Sequence, residues 1–254
     1  MPLITHPTGN YQFVPTATAP RIVGAAPFSS AVRAMTGYEI VHVTFHVPLP
    51  YPAGFAAAAQ HLETVGRPRT ALCAVEVRVP RPLTMEEFSA FNVGYRAVLD
   101  DWGVIVDGQI PIARSNFALG FTSSSDSPLS DILLYAFAYT VPASAPLPTF
   151  VVSAAPEKGD VRPGETTPAA LRAKAASAMQ AMQAGLTAVE MDWSTVTALG
   201  VYTHHDIHTF LDTEIIVPMG SSAIHGVHWY AGPPPIVGIE IEIDIRANRQ
   251  EHRL

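Results

Sequence analysis

Strict alternation of apolar and polar positions marks the strands of this chain. Val41, Val43, Phe45 and Val47 alternate with His42, Thr44 and His46, the period of a half-buried strand. Cys73, Val75, Val77 and Val79 alternate in the same way with Ala74, Glu76 and Arg78, and residues 239–245 (IEIEIDI) alternate without a break. Elsewhere the period lengthens to that of a helix. Phe55, Ala59, Leu62 and Val65 share one face of a helix that Pro52 opens and Gly66 stops. Thr84 and Glu87 have the spacing of a capping box, and the helix they open buries Phe88, Phe91, Tyr95, Val98 and Trp102 before Gly103. A longer helix starts at Thr167 and Pro168, with Leu171, Ala175, Met179, Met182, Leu186 and Val189 at helical spacing. Residues 196–203 and 226–230 read as strands, and 206–217 as a short helix closed by Pro218.

These elements come in the same order twice. The heptapeptide RIVGAAP at 21–27 returns as FVVSAAP at 150–156, and a strand, helix, strand and helix pattern follows each. Two copies of a β-β-α-β-α-β-β unit account for this, an α+β organisation. Residues 1–20, with four prolines and no sustained period, read as an extended arm. The first copy then spans 21–145 and the second 146–254, with the boundary in the proline-rich stretch 142–148. Each copy is long enough for a core of its own.

Composition narrows the function classes. With 48% hydrophobic and 15% charged residues over 254 positions, the chain has the material for a core and cannot be broadly disordered. Its net charge of −7 argues against a nucleic-acid partner, which needs phosphates neutralised. The single cysteine, Cys73, excludes an intramolecular disulfide and a multi-cysteine metal cluster, and its strand position reads as a buried, inert thiol. No apolar run is long enough to span a membrane and the first residues lack the pattern of a signal peptide, so a cytoplasmic protein is expected. Dinucleotide, phosphate-loop and Gly-x-Ser-x-Gly motifs are all missing, and the serine run at 123–127 reads as a solvated hairpin loop.

Three motifs carry a resemblance. Asn92 and Tyr95 on the second helix form an Asn-x-x-Tyr turn, residues 111–115 (PIARS) end in Arg114 and Ser115, and Ile239 to Ile243 read IEIEI. In this order the chain resembles the RidA (YjgF) family, duplicated in tandem, with small chorismate-mutase-like domains in which one sheet is covered by two helices. The resemblance implies a homotrimer with clefts between domains. It also implies that Arg114 binds a substrate carboxylate, that Glu240 positions water against a C=N bond, and that Ser153 lies beside the substrate. The second copy has His225 where the signature arginine is expected, and the first copy closes on residues 134–139 without an acid. Each copy keeps what the other lacks, which leaves either one composite cleft or one active and one degenerate site.

The residues support these roles to different degrees. A guanidinium fits a carboxylate in bidentate fashion, although Arg114 could equally be spent on a structural ion pair. Glu240, Glu242 and Asp244 leave the last strand on one side, so that face has to be wet, paired or part of a polar cleft. Asn92 is expected to steady the Arg114 loop, Ser115 and His225 to contribute polar contacts, and Tyr95 to pack. The histidines at 204, 205, 208, 225 and 228, with Asp206, invite a metal reading, but Asp206 reads as a helix cap and no converging set is evident, so no metal is expected. The expected function is hydrolytic deamination of a small enamine or imine carboxylic acid, such as an aminomuconate, without a cofactor. A carboxylate-binding module without turnover is the alternative. A ribonuclease role finds no basic, aromatic-interleaved surface to support it.

Overall fold

A computed structural model describes residues 3–15, 28–120, 131–144 and 148–254. The strand expected at 21–27 and the serine run at 123–127 lie outside these residues. The first half runs β1 (Ile4–Thr5), β2 (Tyr11–Val14), β3 (Ala31–Ala34), β4 (Tyr38–Pro50), α1 (Tyr51–Thr64), β5 (Leu72–Val79), α2 (Met85–Asp101), β6 (Ala113–Ala118) and β7 (Leu133–Pro142). The second runs β8 (Phe150–Pro156), α3 (Pro168–Ala188), β9 (Ala198–Tyr202), β10 (His228–Tyr230), β11 (Glu242–Ala247) and β12 (Gln250–Arg253).

The local signals act as the chain chemistry requires. Thr84 Oγ1 accepts from the Glu87 N–H at 3.2 Å while the Glu87 carboxylate accepts from the Thr84 N–H at 2.8 Å, closing the capping box of α2. Alternation on β5 sends Val75, Val77 and Val79 into a core with α1 and α2, and Ala74 to the opposite face. Cys73 joins Ala74 rather than the valines, because the pairing of β5 with β7 shifts register between Leu72 and Ala74. It is fully buried, and burial pushes its thiol far above the usual range.

Two mixed sheets result. One has the order β1-β2-β3-β8-β11-β9-β10, with β9 and β10 parallel, and packs on α3. The other has the order β12-β4-β7-β5-β6, with parallel pairs at both edges, and packs on α1 and α2. Their remaining faces meet through Tyr11, Phe13 and Val32 on one side and Ile40, Ala74, Ala113 and Ala138 on the other. The layers therefore run helix, sheet, sheet, helix.

This architecture corrects the expectation of two tandem RidA-like domains. β3 leaves the first half to pair with β8, and β12 leaves the second half to pair with β4. Residues 3–15, where the sequence suggests an arm, carry β1 and β2 at the edge of the seven-stranded sheet. Among the described residues only one sheet has two long helices. Across the other, the segment read as a helix at 206–217 is a 3-10 turn (Ile207–Thr209), a π turn (Leu211–Ile216) and one helical turn (Val217–Met219) that takes in Pro218. Asp206 does cap, its carboxylate accepting from the His208 N–H at 3.0 Å.

Candidate active site

β6 is the edge of its sheet, yet all six of its residues are buried, because residues 28–30 and β8 cover that edge. Ala113 and Phe117 face the other sheet, so alternation turns Arg114 toward α2. The guanidinium lies 4.7 Å from the ring centre of Tyr95, 4.8 Å from Phe28 and 5.4 Å from both Phe88 and Phe91. Cation–π attraction of this kind offsets part of the cost of burying the charge. It leaves two of the three guanidinium nitrogens unspent: Arg114 is 1% exposed, and its Nε and Nη2 have no hydrogen-bond partner. Burial lowers the pKa of Arg114, against the pull of Tyr95 and Glu242.

Glu242, the first residue of β11, is the acid whose charge acts on Arg114. It is buried, and its Oε2 also lacks a partner. Burial, together with the negative charges of Asp244 and Glu157, pushes its pKa up to about 8 despite the attraction of Arg114. At neutral pH the carboxyl is mostly protonated and can donate. Glu157 is fixed elsewhere: its carboxylate takes Lys174 Nζ at 3.2 Å and the N–H groups of Glu240 and Ile241 at 2.9 and 3.0 Å.

Farther along the sheet interface the charged groups pair with one another, although His42 Nδ1 and Arg246 Nε are left without a hydrogen-bond partner. Glu76 takes His42 Nε2 at 2.8 Å and Arg78 Nη2 at 3.0 Å, with Arg246 Nη1 at 3.6 Å. Burial alone would raise Glu76, but these partners outweigh it and hold the carboxyl far below its usual range. Asp244 accepts from Tyr202 Oη at 2.8 Å and from Ser115. The gap among these side chains is about 10 Å³, room for a water at most. By contrast, a cleft of about 500 Å³ opens between β8 and α3, and its wall includes Phe28 and Ser153, two residues that also touch Arg114.

The expected site residues separate into two groups. Arg114, Ser153 and Asn92 lie in or beside the arginine pocket. The Ser153 hydroxyl accepts the Arg114 N–H at 3.0 Å and donates to the Ser29 carbonyl at 2.5 Å, so it ties the two sheets together. Asn92 is buried on α2, one position from Phe91. Ser115, pointing the other way along β6, belongs to the Asp244 network. Glu240 stands apart, its Oε2 2.7 Å from His205 Nε2. His225 is exposed at the end of a 3-10 turn (Gly220–His225) beside the turn Trp193–Thr195, away from the groups gathered around Arg114. Its assignment by counting back from Ile239 fails because residues 220–225 form that turn rather than a strand. The sequence reading missed Glu242 as the acid facing Arg114, although alternation had already put it on the right side of its strand. It also missed Phe28 and Asn116, whose buried Oδ1 is another atom without a partner.

Fold and site together define a helix–sheet–sheet–helix protein with a buried cation and a neutral acid brought together from its two sheets. The chain belongs to the 2-aminomuconate deaminase CnbZ family, whose profile matches residues 3–252. It is 30% identical over 254 residues to the 2-amino-5-chloromuconate deaminase of Comamonas testosteroni, covering 96% of this chain and 95% of that one. The aminomuconate deaminase link expected from the sequence therefore holds, and membership of the RidA family is not shown. Among solved structures, a chorismatase superposes with a TM-score of 0.48 at 15% identity, over 86% of this chain and 77% of its own. A cyanuric acid hydrolase gives 0.39 at 11% identity, over 85% and 69%. Among the described residues no helix is long and apolar enough to cross a membrane.

Proposed function

We propose that the protein hydrolyses a small enamine or imine carboxylic acid of the aminomuconate type, releasing ammonia without a cofactor. One observation carries this reading: a fully buried guanidinium and a buried, largely protonated carboxyl, drawn from different sheets, each keep hydrogen-bonding atoms unspent. A fold does not retain two such groups for stability, since each unpaired one costs free energy. A carboxylate on Arg114 would satisfy the first, and a substrate proton acceptor the second.

The chemistry follows from those two groups. Arg114 holds the carboxylate beside the amino-bearing carbon. Glu242 gives its proton to the enamine carbon, turning C=C–NH2 into C=NH2+, and its carboxylate then takes a proton from the water that adds to the C=N carbon. The resulting carbinolamine loses ammonia and leaves a ketone. Atoms balance as one water consumed and one ammonia released, and the protein supplies positioning and proton transfer.

Arg114→Lys keeps the charge but loses the planar fork, and is expected to lower kcat/KM for 2-aminomuconate by about 10- to 100-fold, the worth of a charged hydrogen bond. Glu242→Gln is expected to lower kcat by about 100-fold or more while the product or a dicarboxylate analogue still binds. Full turnover in Glu242→Gln would remove the proposed acid. Unchanged turnover and unchanged analogue binding in Arg114→Lys would remove the anchor.

A further inference from the structure

Glu240 is left out of that chemistry, and its neighbours give it another use. β9 and β11 pair antiparallel with Tyr202 opposite Glu242, so extending the ladder by two residues brings His204 level with Glu240. Ligand atoms of His204, His205 and Glu240 all lie within 4.8 Å of one another, and the two imidazole centres are 4.0 Å apart. Both arms are held from behind. The His205 N–H donates to Thr203 Oγ1 at 3.2 Å, Trp229 Nε1 donates to the Thr203 carbonyl at 2.9 Å, and the Glu240 N–H donates to Glu157 at 2.9 Å. The side chains of His205 and Glu240 are 16% and 17% exposed, whereas His204 is open to solvent.

We infer that His204, His205 and Glu240 form a site for one divalent transition-metal ion of the zinc class. Two imidazoles and one carboxylate suit zinc, cobalt or nickel better than calcium or magnesium, which prefer oxygen throughout. Tetrahedral ligands at roughly 2.0–2.1 Å from zinc stand about 3.3 Å apart, so His205 and Glu240 have to separate by about half an ångström from their present contact, and the widest spacing in the set, at most 4.8 Å, has to close by up to about 1.5 Å through rotation of the exposed His204 ring. The exposed side of His204 leaves a coordination position for water. The sequence pointed to both histidines but not to their third partner, Glu240, which lies 36 and 35 positions farther along the chain.

The test is calorimetric titration of the chelator-treated full chain with Zn²⁺, followed by the visible spectrum of the Co²⁺ form. One saturable equivalent is expected, with the absorption of a four- or five-coordinate cobalt. Glu240→Gln and His205→Ala should each weaken binding by at least about 10-fold. His208→Ala, a surface histidine paired with Asp206 at 2.6 Å, should leave it unchanged, and so should Arg114→Lys, which separates this inference from the deaminase reading. Absence of saturable binding, or equal binding in the wild type and in Glu240→Gln and His205→Ala with unchanged melting curves, overturns the site.

Discussion

At the scale of single residues, the side chain with the largest consequence is Glu242. Its carboxyl titrates near 8 in the folded chain, well above an unfolded glutamate, because it is buried and faces Asp244 and Glu157. Two outcomes follow, with opposite uses of the same shift. Turnover that needs the protonated acid should fall as pH rises through about 8, and a pH–rate profile of kcat reads this directly. Stability should fall over the interval below that: between pH 4.5 and 8 the unfolded chain has released this proton and the folded one has not, so ΔG of unfolding loses up to about 1.4 kcal/mol per pH unit from this group. Urea midpoints of the wild type and Glu242→Gln measured from pH 5 to 9 should therefore diverge, the variant losing less. Parallel curves would show that Glu242 is ionised throughout. Arg114 was singled out in the sequence by the PIARS segment, with a structural ion pair as the competing reading, and the structure leaves its Nε and Nη2 without a partner. The acid was not singled out, because alternation gives the side of β11 but not which of Glu240, Glu242 and Asp244 stands opposite Arg114. That choice depends on how the two sheets are offset.

Among elements, α3 shows how closely helix and sheet are fitted. A methyl group on Gly185 would sit 2.4 Å from Val152 Cγ1 and 3.2 Å from its Cγ2, and a β-branched side chain buried in β8 has little room to turn away. Gly185→Ala gains helix propensity of about 1 kcal/mol, yet overpacking at this distance costs about 1–3 kcal/mol. A net loss of stability in urea unfolding is expected; a gain would mean that α3 lifts off the sheet at no cost. Because Gly185 also lines the cleft beside Ser153, the same variant should raise KM. Strong periodicity made α1, α2, α3, β4, β5 and β11 readable from the chain. What escaped has specific causes. β3 and β12 are four residues each, too short for a period to declare itself. Residues 207–225 carry a proline inside a helical turn and apolar residues such as Phe210, Ile215 and Met219 that pack from irregular backbone, so burial there leaves no helical rhythm.

For the molecule as a whole, the decisive feature is the exchange of strands between sheets. β12 pairs with residues 41–44 of β4, and its surroundings add Gln250 Nε2 to Glu39 at 2.7 Å, Arg246 to Glu251 at 3.3 Å and the ion pair of Arg249 with Glu39. Deleting residues 250–254 should lower the thermal midpoint by several degrees and promote aggregation through the uncovered edge of β4, as followed by light scattering. An unchanged midpoint would reduce β12 to a decoration. The inner sheet faces cover one another within a single chain, so each sheet finds its partner without a second copy.

A ribosome delivers this chain in the least convenient order for such a layout. β3 emerges early and must wait for β8, and β4 waits longer still for β12, so neither sheet can be finished while β8 and β12 remain in the exit tunnel. Long-range closure of this kind is slow and leaves nascent edges open to rescue by holdase chaperones, or to the wrong neighbour on a crowded polysome.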